Sequence, residues 1–235
     1  MKGFAKVQLT ISFTWQQVSE RSLFEKIAAH LGIAKTAESL GIVNIFKDRA
    51  EALQEIKTAL TLAKDDVALF GGGLTTFFLV PASLIDLESL LESNNNVKSI
   101  RILMPEPSSK GTELRSIIDH GKVPSYIYSP ETSTQKKCLE KASILLTRFP
   151  EKIRLRNYKM FPHCFLVITK AKLFWQPYDC SDRGVTAPVM EALSGSILYR
   201  RYIEHFNRIW QDDKLSFEFE SEIPVDSLES RIPSN

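Results

Sequence analysis

The chain contains few cysteines and no long apolar run. Only three of its 235 residues are cysteines, Cys138, Cys164 and Cys180, and no two of them form a closely spaced pair. An odd count without such a pair argues against a disulfide framework and favours a reducing compartment, so we expect a cytoplasmic protein. No segment approaches the roughly 18 consecutive apolar residues of a membrane span, and polar residues alternate through residues 4–13. We therefore expect neither a signal peptide nor a transmembrane helix.

The sequence also lacks the spacing patterns of a metal site. It has no CxxC motif, and its four histidines (His30, His120, His163 and His205) are not spaced as zinc ligands usually are. We therefore predict no bound metal and no cofactor.

The numbers of acidic and basic residues are nearly equal, 28 and 30. The formal net charge is +2, which indicates no partner that is a bulk polyanion. The charge is unevenly placed, because residues 211–235 contain seven acidic and only two basic side chains. The sequence therefore predicts an acidic tail on a mildly basic body. Such a body can bind phosphate groups locally, or it can simply have a solvated surface with uneven charge.

From Gly41 onwards, short apolar segments alternate with amphipathic ones. Because strands that alternate with helices are typical of α/β proteins, we predict an α/β/α sandwich with a mostly parallel mixed sheet. We divide the chain into a strand–helix appendage (1–40), a main domain (41–212) and an acidic tail (213–235). Strands are predicted at 42–46, 67–70, 99–104, 153–156, 215–220 and as an adjacent pair after residue 163. Helices are predicted at 48–63, from 83–86 onwards, and at 112–119, 132–148 and 196–210.

A glycine run and two threonines follow the second of these strands, namely Gly71, Gly72, Gly73, Thr75 and Thr76. Ligands of α/β sheets bind beyond the carboxyl ends of the strands, and glycines there let the backbone approach an anion. The pattern is neither a P-loop nor GxGxxG. It predicts a phosphate-binding loop or, alternatively, a tight turn that needs positive φ.

The strand near residue 153 carries basic side chains on one face. Lys152, Arg154 and Arg156 alternate with Ile153 and Leu155. Such a face can follow the phosphate backbone of a nucleic acid, or it can be a solvated face that protects a sheet edge from aggregation.

His163 is the candidate catalytic residue, because it lies directly before an apolar strand. A neutral imidazole can attack phosphorus and form a covalent phosphohistidine. That chemistry needs nearby cations to stabilise the phosphoryl oxygens, for which Lys159, Lys170 and Lys172 are the candidates. The alternative is a structural histidine at the start of a strand.

Strand alternation predicts the neighbours of His163. Phe165, Val167 and Thr169 are expected on its own face, with Cys164 on the opposite one. A Cys–His catalytic dyad is therefore excluded at this position.

The order of these elements over residues 41–212 resembles the phospholipase D-like superfamily. The resemblance rests on 41–49, the strand ending at 71–73, 100–105, 153–156, 161–163 with its strand pair, and the helix 202–210. It implies the phospholipase D-like fold and a homodimer across the face that carries the site.

The signature of that family is His-x-Lys followed, after four residues, by Asp. His163 matches the histidine, whereas Phe165 occupies the lysine position and Lys170 the aspartate position. The downstream Gly-Ser or Gly-x-Asn pattern is absent as well. Active members combine two such motifs, within a chain or across a dimer, and this sequence has one incomplete motif. The resemblance therefore implies a degenerate site.

Three hypotheses follow. The first is a non-catalytic regulatory, sensor or effector module in prokaryotic defence or signalling, which binds a nucleic acid, a nucleotide, another phosphate ligand or a protein partner. The alternative is a homodimeric, metal-independent phosphodiesterase, nuclease or phospholipase-like, with His163 as nucleophile. The third is an interaction protein whose appendage and acidic tail are the docking elements.

Overall fold

A computed structural model describes residues 36–72, 74–79, 85–120, 134–178 and 187–219. The chain divides between Glu38 and Ser39, and the second unit is the one described below. Residues 1–35 of the predicted appendage, Gly73, Cys180 and the tail beyond residue 219 lie outside the described residues.

Eight described strands form one sheet. They are β1 (Ile42–Phe46), β2 (Asp65–Phe70), β3 (Val97–Pro105), β4 (Ile153–Tyr158), β5 (Cys164–Ile168), β6 (Lys172–Pro177), β7 (Val189–Leu193) and β8 (Ser216–Glu218). Their order across the sheet is β1-β7-β6-β5-β2-β3-β4-β8. The predicted edge strand after residue 215 is therefore present as β8, which pairs with β4.

The sheet is mixed, and its parallel part is limited to β2, β3 and β4. The predictions of an α/β fold and a mixed sheet are confirmed. The prediction of mostly parallel pairing is wrong, because the other five neighbouring pairs are antiparallel. Parallel neighbours need long crossover connections, which exist between β2, β3 and β4. A three-residue turn joins β5 to β6, and so short a connection permits only an antiparallel hairpin.

Six described helices connect and cover these strands. They are α1 (Arg49–Thr61), α2 (Thr75–Phe78), α3 (Leu87–Ser93), α4 (Lys110–His120), α5 (Thr134–Arg148) and α6 (Ile197–Gln211). The helix starts follow the capping residues in the sequence. A carboxylate oxygen of Asp48 accepts from the Glu51 N–H at 3.0 Å, and the Ser196 hydroxyl accepts from the Tyr199 N–H at 3.2 Å.

Each face of the sheet has its own apolar core. On the first face, Leu69 and Val167 pack with side chains of α1, α3 and α5. On the second face, Phe70 and Leu166 pack with Phe206 of α6. Consecutive residues of β2 and β5 thus alternate between two helix layers, which is the α/β/α arrangement that period-two strands predict. Within the described ranges, no helix has the length and apolar character to cross a membrane.

Candidate functional site

The candidate site lies at the edge of the sheet where β2, β3 and β4 end. Because β5 and β7 run antiparallel to these strands, they begin at the same edge. We call this edge the rim. It contains Gly71 and Gly72 after β2, Tyr158 at the end of β4, His163 before β5, and Tyr178 after β6. Ligands of α/β folds bind at such edges.

His163 meets a second histidine at the rim. Its Nε2 lies 2.9 Å from Nε2 of His205 in α6, and the two rings cross at 80° with centroids 5.0 Å apart. The Nδ1 of His163 lies 3.2 Å from the carbonyl oxygen of Phe161. The sequence predicts His163 as a site residue but not His205, since 42 positions separate the two histidines and His205 reads as an ordinary position of an amphipathic helix.

The face of the sheet on which His163 packs differs from the predicted one. Its ring centroid lies 5.4 Å from that of Phe70, and Phe70 belongs to the second-face core. Phe165 and Val167, the expected neighbours, belong to the first-face core. The reason is that β5 begins at Cys164, so His163 precedes the regular strand and strand alternation does not fix its direction.

The two imidazoles form one hydrogen-bonded unit. A carbonyl can only accept, so Nδ1 of His163 carries a proton and, in the neutral ring, Nε2 has the free lone pair. His205 then donates its Nε2–H to that lone pair. Burial, the neighbouring His163 and the charge of Arg208 all lower the pKa of His205. A first proton can be shared between the two Nε2 atoms, whereas a second would place two cations in contact.

The glycine run forms a tightly packed turn. The Tyr158 hydroxyl donates to the Gly71 carbonyl at 3.1 Å, and the Gly72 N–H donates to the Tyr178 hydroxyl oxygen at 3.0 Å. A Cβ at Gly71 would lie 2.9 Å from Leu74 Cδ2. Neither Gly71 nor Gly72 is among the positive-φ glycines of the described residues, so close packing rather than a left-handed backbone accounts for them. Their binding of phosphate remains a prediction.

The two threonines continue this turn as the first residues of α2. Thr76 is buried, and the half-buried Thr75 accepts the Leu79 N–H at its carbonyl, 2.8 Å away. Leu74, just before them, adopts the left-handed conformation with φ of 52°.

Two buried arginines lie beside the rim, and sequence patterns do not predict them. Arg49, the first residue of α1, lies over the ring of Phe165 at 4.1 Å, and its Nε donates to Gln176 Oε1 at 2.9 Å. Arg115 of α4 lies over the ring of Tyr178 at 5.0 Å, and Arg49 lies 6.0 Å from the same ring. A guanidinium is therefore in contact with the side chain of Phe165.

Two of the predicted phosphate-binding lysines lie away from His163. Lys170 is in the turn beyond the far end of β5, and its Nζ donates to Asp65 at 2.8 Å. Lys172 begins β6 at that same end, where its Nζ lies 2.6 Å from Oε1 of the buried Glu191. The structure therefore does not bring these cations to the histidine pair.

The remaining predicted cations each have a separate partner. The Lys159 ammonium lies 5.0 Å from the Phe217 ring. Lys152 donates to the Leu91 carbonyl at 3.0 Å, and Arg154 donates to the Pro150 carbonyl. Arg156 donates to the Asp213 carboxylate at 2.5 Å. The predicted basic face is thus divided among backbone and carboxylate acceptors, and β8 covers the second half of β4.

No protein-family model and no curated protein sequence matches the chain. Several solved structures are similar to it in fold. TrmBL2, an archaeal chromatin protein that binds DNA, has 16% identity and a TM-score of 0.44 over 81% of this chain and 66% of that one. Nuc from Salmonella typhimurium, a phospholipase D family member, has 13% identity and a TM-score of 0.40 over 76% and 99%. NucT from Helicobacter pylori has 10% identity and a TM-score of 0.40 over 75% and 98%.

Proposed function

We propose that this chain is a non-catalytic, phospholipase D-like binding module that holds a phosphate-containing ligand at the rim. The observation that carries the proposal is the contact of 2.9 Å between Nε2 of His163 and Nε2 of His205. It places one N–H and one lone pair next to each other at the carboxyl end of the parallel strands.

The surroundings of the pair suit an anion. A phosphate oxygen that replaces Nε2 of His163 as the acceptor can take the His205 N–H, and a proton taken up by the pair then places a cation against the ligand. Arg49 and Arg115, which contact Phe165 and Tyr178, add positive charge beside the rim. Because an anion stabilises the protonated pair, ligand binding and proton uptake should be coupled.

The absence of turnover is proposed from the positions that the family motif would use. Phe165, in place of the lysine, is fully buried and stacks on Phe77 at 6.0 Å. Lys170, in place of the aspartate, pairs with Asp65 at the other end of β5. A backbone carbonyl rather than a carboxylate orients Nδ1 of His163. Losing one group that stabilises transition-state charge typically costs about 3–4 kcal/mol.

A phosphodiesterase assay tests the non-catalytic part of this proposal. We expect single-stranded DNA, RNA and bis(p-nitrophenyl) phosphate to be cleaved no faster by the natural protein than by His163→Ala, with or without EDTA. Cleavage that survives EDTA and disappears in His163→Ala would contradict it.

Calorimetric titration with inorganic phosphate at pH 6 and pH 8 tests the binding part. The matched variants are His163→Gln, whose amide can still reach His205, and His163→Asn, whose shorter amide can reach only the Phe161 carbonyl. We expect tighter binding at pH 6, an intermediate loss in His163→Gln and the larger loss in His163→Asn. Equal affinity in all three proteins would exclude the histidine pair as the ligand site.

The second candidate function, a metal-independent phosphodiesterase, is favoured by one observation. The Nδ1–H of His163 is held by the Phe161 carbonyl, so Nε2 is the unprotonated, nucleophilic nitrogen, and His205 is a proton donor beside it. In that case His163→Ala and His205→Ala should each abolish cleavage, and a phosphohistidine at residue 163 should be trapped by rapid acid quench.

Dimerisation across the rim and a regulatory or sensor role with a protein partner belong to the same proposal. The molar mass measured by light scattering, with and without phosphate, tests the dimer. A monomeric mass under both conditions would restrict the site to one chain.

A further inference from the structure

A second polar cleft lies at the end of the sheet opposite the rim. It has a volume of about 480 Å³ and lies between the first residues of β2 and β3, the β5–β6 turn and the beginning of α6. Cavities of this size hold small metabolites. Ala68, Ile168 and Ile203 form its apolar floor and wall, together with the ring of Tyr199.

Arg101 in β3 is one of the residues that line this cleft. Its Nη1 donates to Oδ1 of Asn207 at 2.9 Å, and its guanidinium lies 5.1 Å from the Phe206 ring and 5.7 Å from the Trp210 ring. Its Nε is buried and has no hydrogen-bond partner within the described part of the chain. Burial lowers the pKa of Arg101. Arginine stays protonated in proteins, so Arg101 brings a positive charge to the lining of the cleft.

Two lysines border the same cleft. The ammonium groups of Lys98 and Lys170 contact the two carboxylate oxygens of Asp65 at 2.6 Å and 2.8 Å. Asp65 has φ of 72°, in the left-handed region that a residue with a side chain seldom adopts. Asp66 is the second carboxylate of the lining. The positive charges of Arg101, Lys98 and Lys170 therefore exceed the negative charges of Asp65 and Asp66 by one.

We propose that this cleft binds the phosphate group of a small phosphomonoester or free inorganic phosphate. The guanidinium of Arg101, which lines the cleft, attracts the phosphate oxygens by its charge and can form charge-assisted hydrogen bonds with them. Lys98 and Lys170, already held close together by Asp65, add positive charge beside the ligand, and the net charge of +1 in the cleft offsets one of the two charges of the dianion. The Tyr199 ring and Ile203 contact the apolar part of an esterified ligand. The site is independent of the rim, because it draws on the opposite ends of β2, β3 and β5.

Calorimetric titrations with AMP, adenosine and inorganic phosphate test this proposal at pH 8, where proton uptake by His205, whose pKa is lowered, contributes least. The variants are Arg101→Gln and, as a charge-matched control, Lys57→Gln on the exposed surface of α1. The loss of charge-assisted hydrogen bonds should weaken AMP binding about tenfold or more in Arg101→Gln. Lys57→Gln should bind as the natural protein does.

A second variant keeps the test decisive if Arg101→Gln does not fold. Lys98→Gln combined with Lys170→Gln alters two side chains that are each 74% exposed, so the fold should tolerate the changes. We expect AMP affinity to fall about tenfold in this variant as well. AMP affinity well above that of inorganic phosphate would assign an esterified phosphate, and equal affinity would assign free phosphate.

His163→Gln separates the cleft from the rim. Binding that survives His163→Gln and is lost in the cleft variants supports the cleft. Unchanged affinity in the cleft variants, adenosine binding equal to AMP binding, or no binding by the natural protein up to about 10 mM ligand would overturn the proposal. Loss in His163→Gln alone would overturn it while supporting the rim as the phosphate site.

Discussion

The two ends of the central sheet hold polar groups of different character. At the rim, His163 and His205 share one hydrogen bond against the ring of Phe70. At the opposite end, Asp65 pairs with the mostly exposed Lys98 and Lys170. The rim depends on packing and directional hydrogen bonds, whereas the opposite end depends on charge in contact with water.

Because of this difference, the two ends should respond differently to pH, to salt and to the truncation of packed side chains. The half-buried imidazole of His205 responds to pH near neutrality and to the loss of the rings around it. Exposed ion pairs contribute little to stability and are screened by salt. Changes that separate packing, pH and salt effects can therefore test the comparison.

Truncation of the aromatic support should have the largest effect. Phe70 is fully buried, and its ring stacks on Tyr158 at 4.9 Å besides contacting both histidines. Phe70→Ala should lower the free energy of unfolding by about 3–5 kcal/mol, because it removes buried area and leaves a cavity. Urea unfolding at neutral pH measures this loss.

Phe174→Ala is the matched control, because Phe174 is also fully buried but belongs to the first-face core. Its cost in stability should be similar. Only Phe70→Ala, however, should change the titration of the His205 ring protons followed by NMR, because burial lowers the pKa of that residue. If both variants change that titration equally, the rim does not depend on its own aromatic support.

The second effect is a fall in stability as the pH drops below neutrality. The pKa of His205 is lowered from 6.5, mainly by burial and then by His163 and Arg208. As the pH falls below 6.5, the unfolded chain takes up a proton before the folded chain does, so the free energy of unfolding decreases. His205→Gln, which cannot titrate, should lose less stability between pH 7 and pH 5.5 in thermal unfolding. An identical decrease in both proteins would show that His205 is not the group responsible.

The sequence predicted the local elements well where apolar periodicity and capping agree. Strand β1 has the predicted bounds, and the helix after Asp48 begins where the capping residue indicates. Both features depend on neighbouring residues only, which explains why a pattern can show them.

Strand β7 was not predicted, because a charged residue lies in its middle. Glu191 is buried within the sheet, where Lys172 and the Asn44 amide compensate its charge. A glutamate reads as a surface residue until its partners on β6 and β1 are known. The antiparallel pairing of β6 and β7 was missed for the same reason, because the sequence did not predict β7 as a strand.

The surroundings of His163 were less predictable from the sequence than the strands and helices. His163 stands out because it precedes an apolar strand, whereas its partners come from distant elements. His205 comes from α6, and the nearby Arg49 and Arg115 come from α1 and α4. Only the strand order brings these helices to one edge, and strand order is a long-range property that local periodicity does not contain.

The smallest change in the free energy of unfolding should come from the ion pairs at the end of the sheet opposite the rim. Hydrogen bonds from Lys170 and Lys98 lower the pKa of Asp65 from 3.8 to about 2. Its contribution to stability is therefore present above pH 3.8 and is lost as the pH falls toward 2. Asp65→Asn should remove that acid-dependent part and also make stability at neutral pH less sensitive to salt, since salt screens the exposed pairs.

Urea unfolding at low salt and at about 1 M salt, where the screening length falls to about 3 Å, measures how strongly salt changes the stability of the natural protein and of Asp65→Asn. Salt should reduce the stability of the natural protein slightly more than that of Asp65→Asn, and it should leave the change caused by Phe70→Ala unaltered. A salt effect as large in Asp65→Asn as in the natural protein would place the screened charges elsewhere. The opposite end would then owe its geometry to packing, as the rim does.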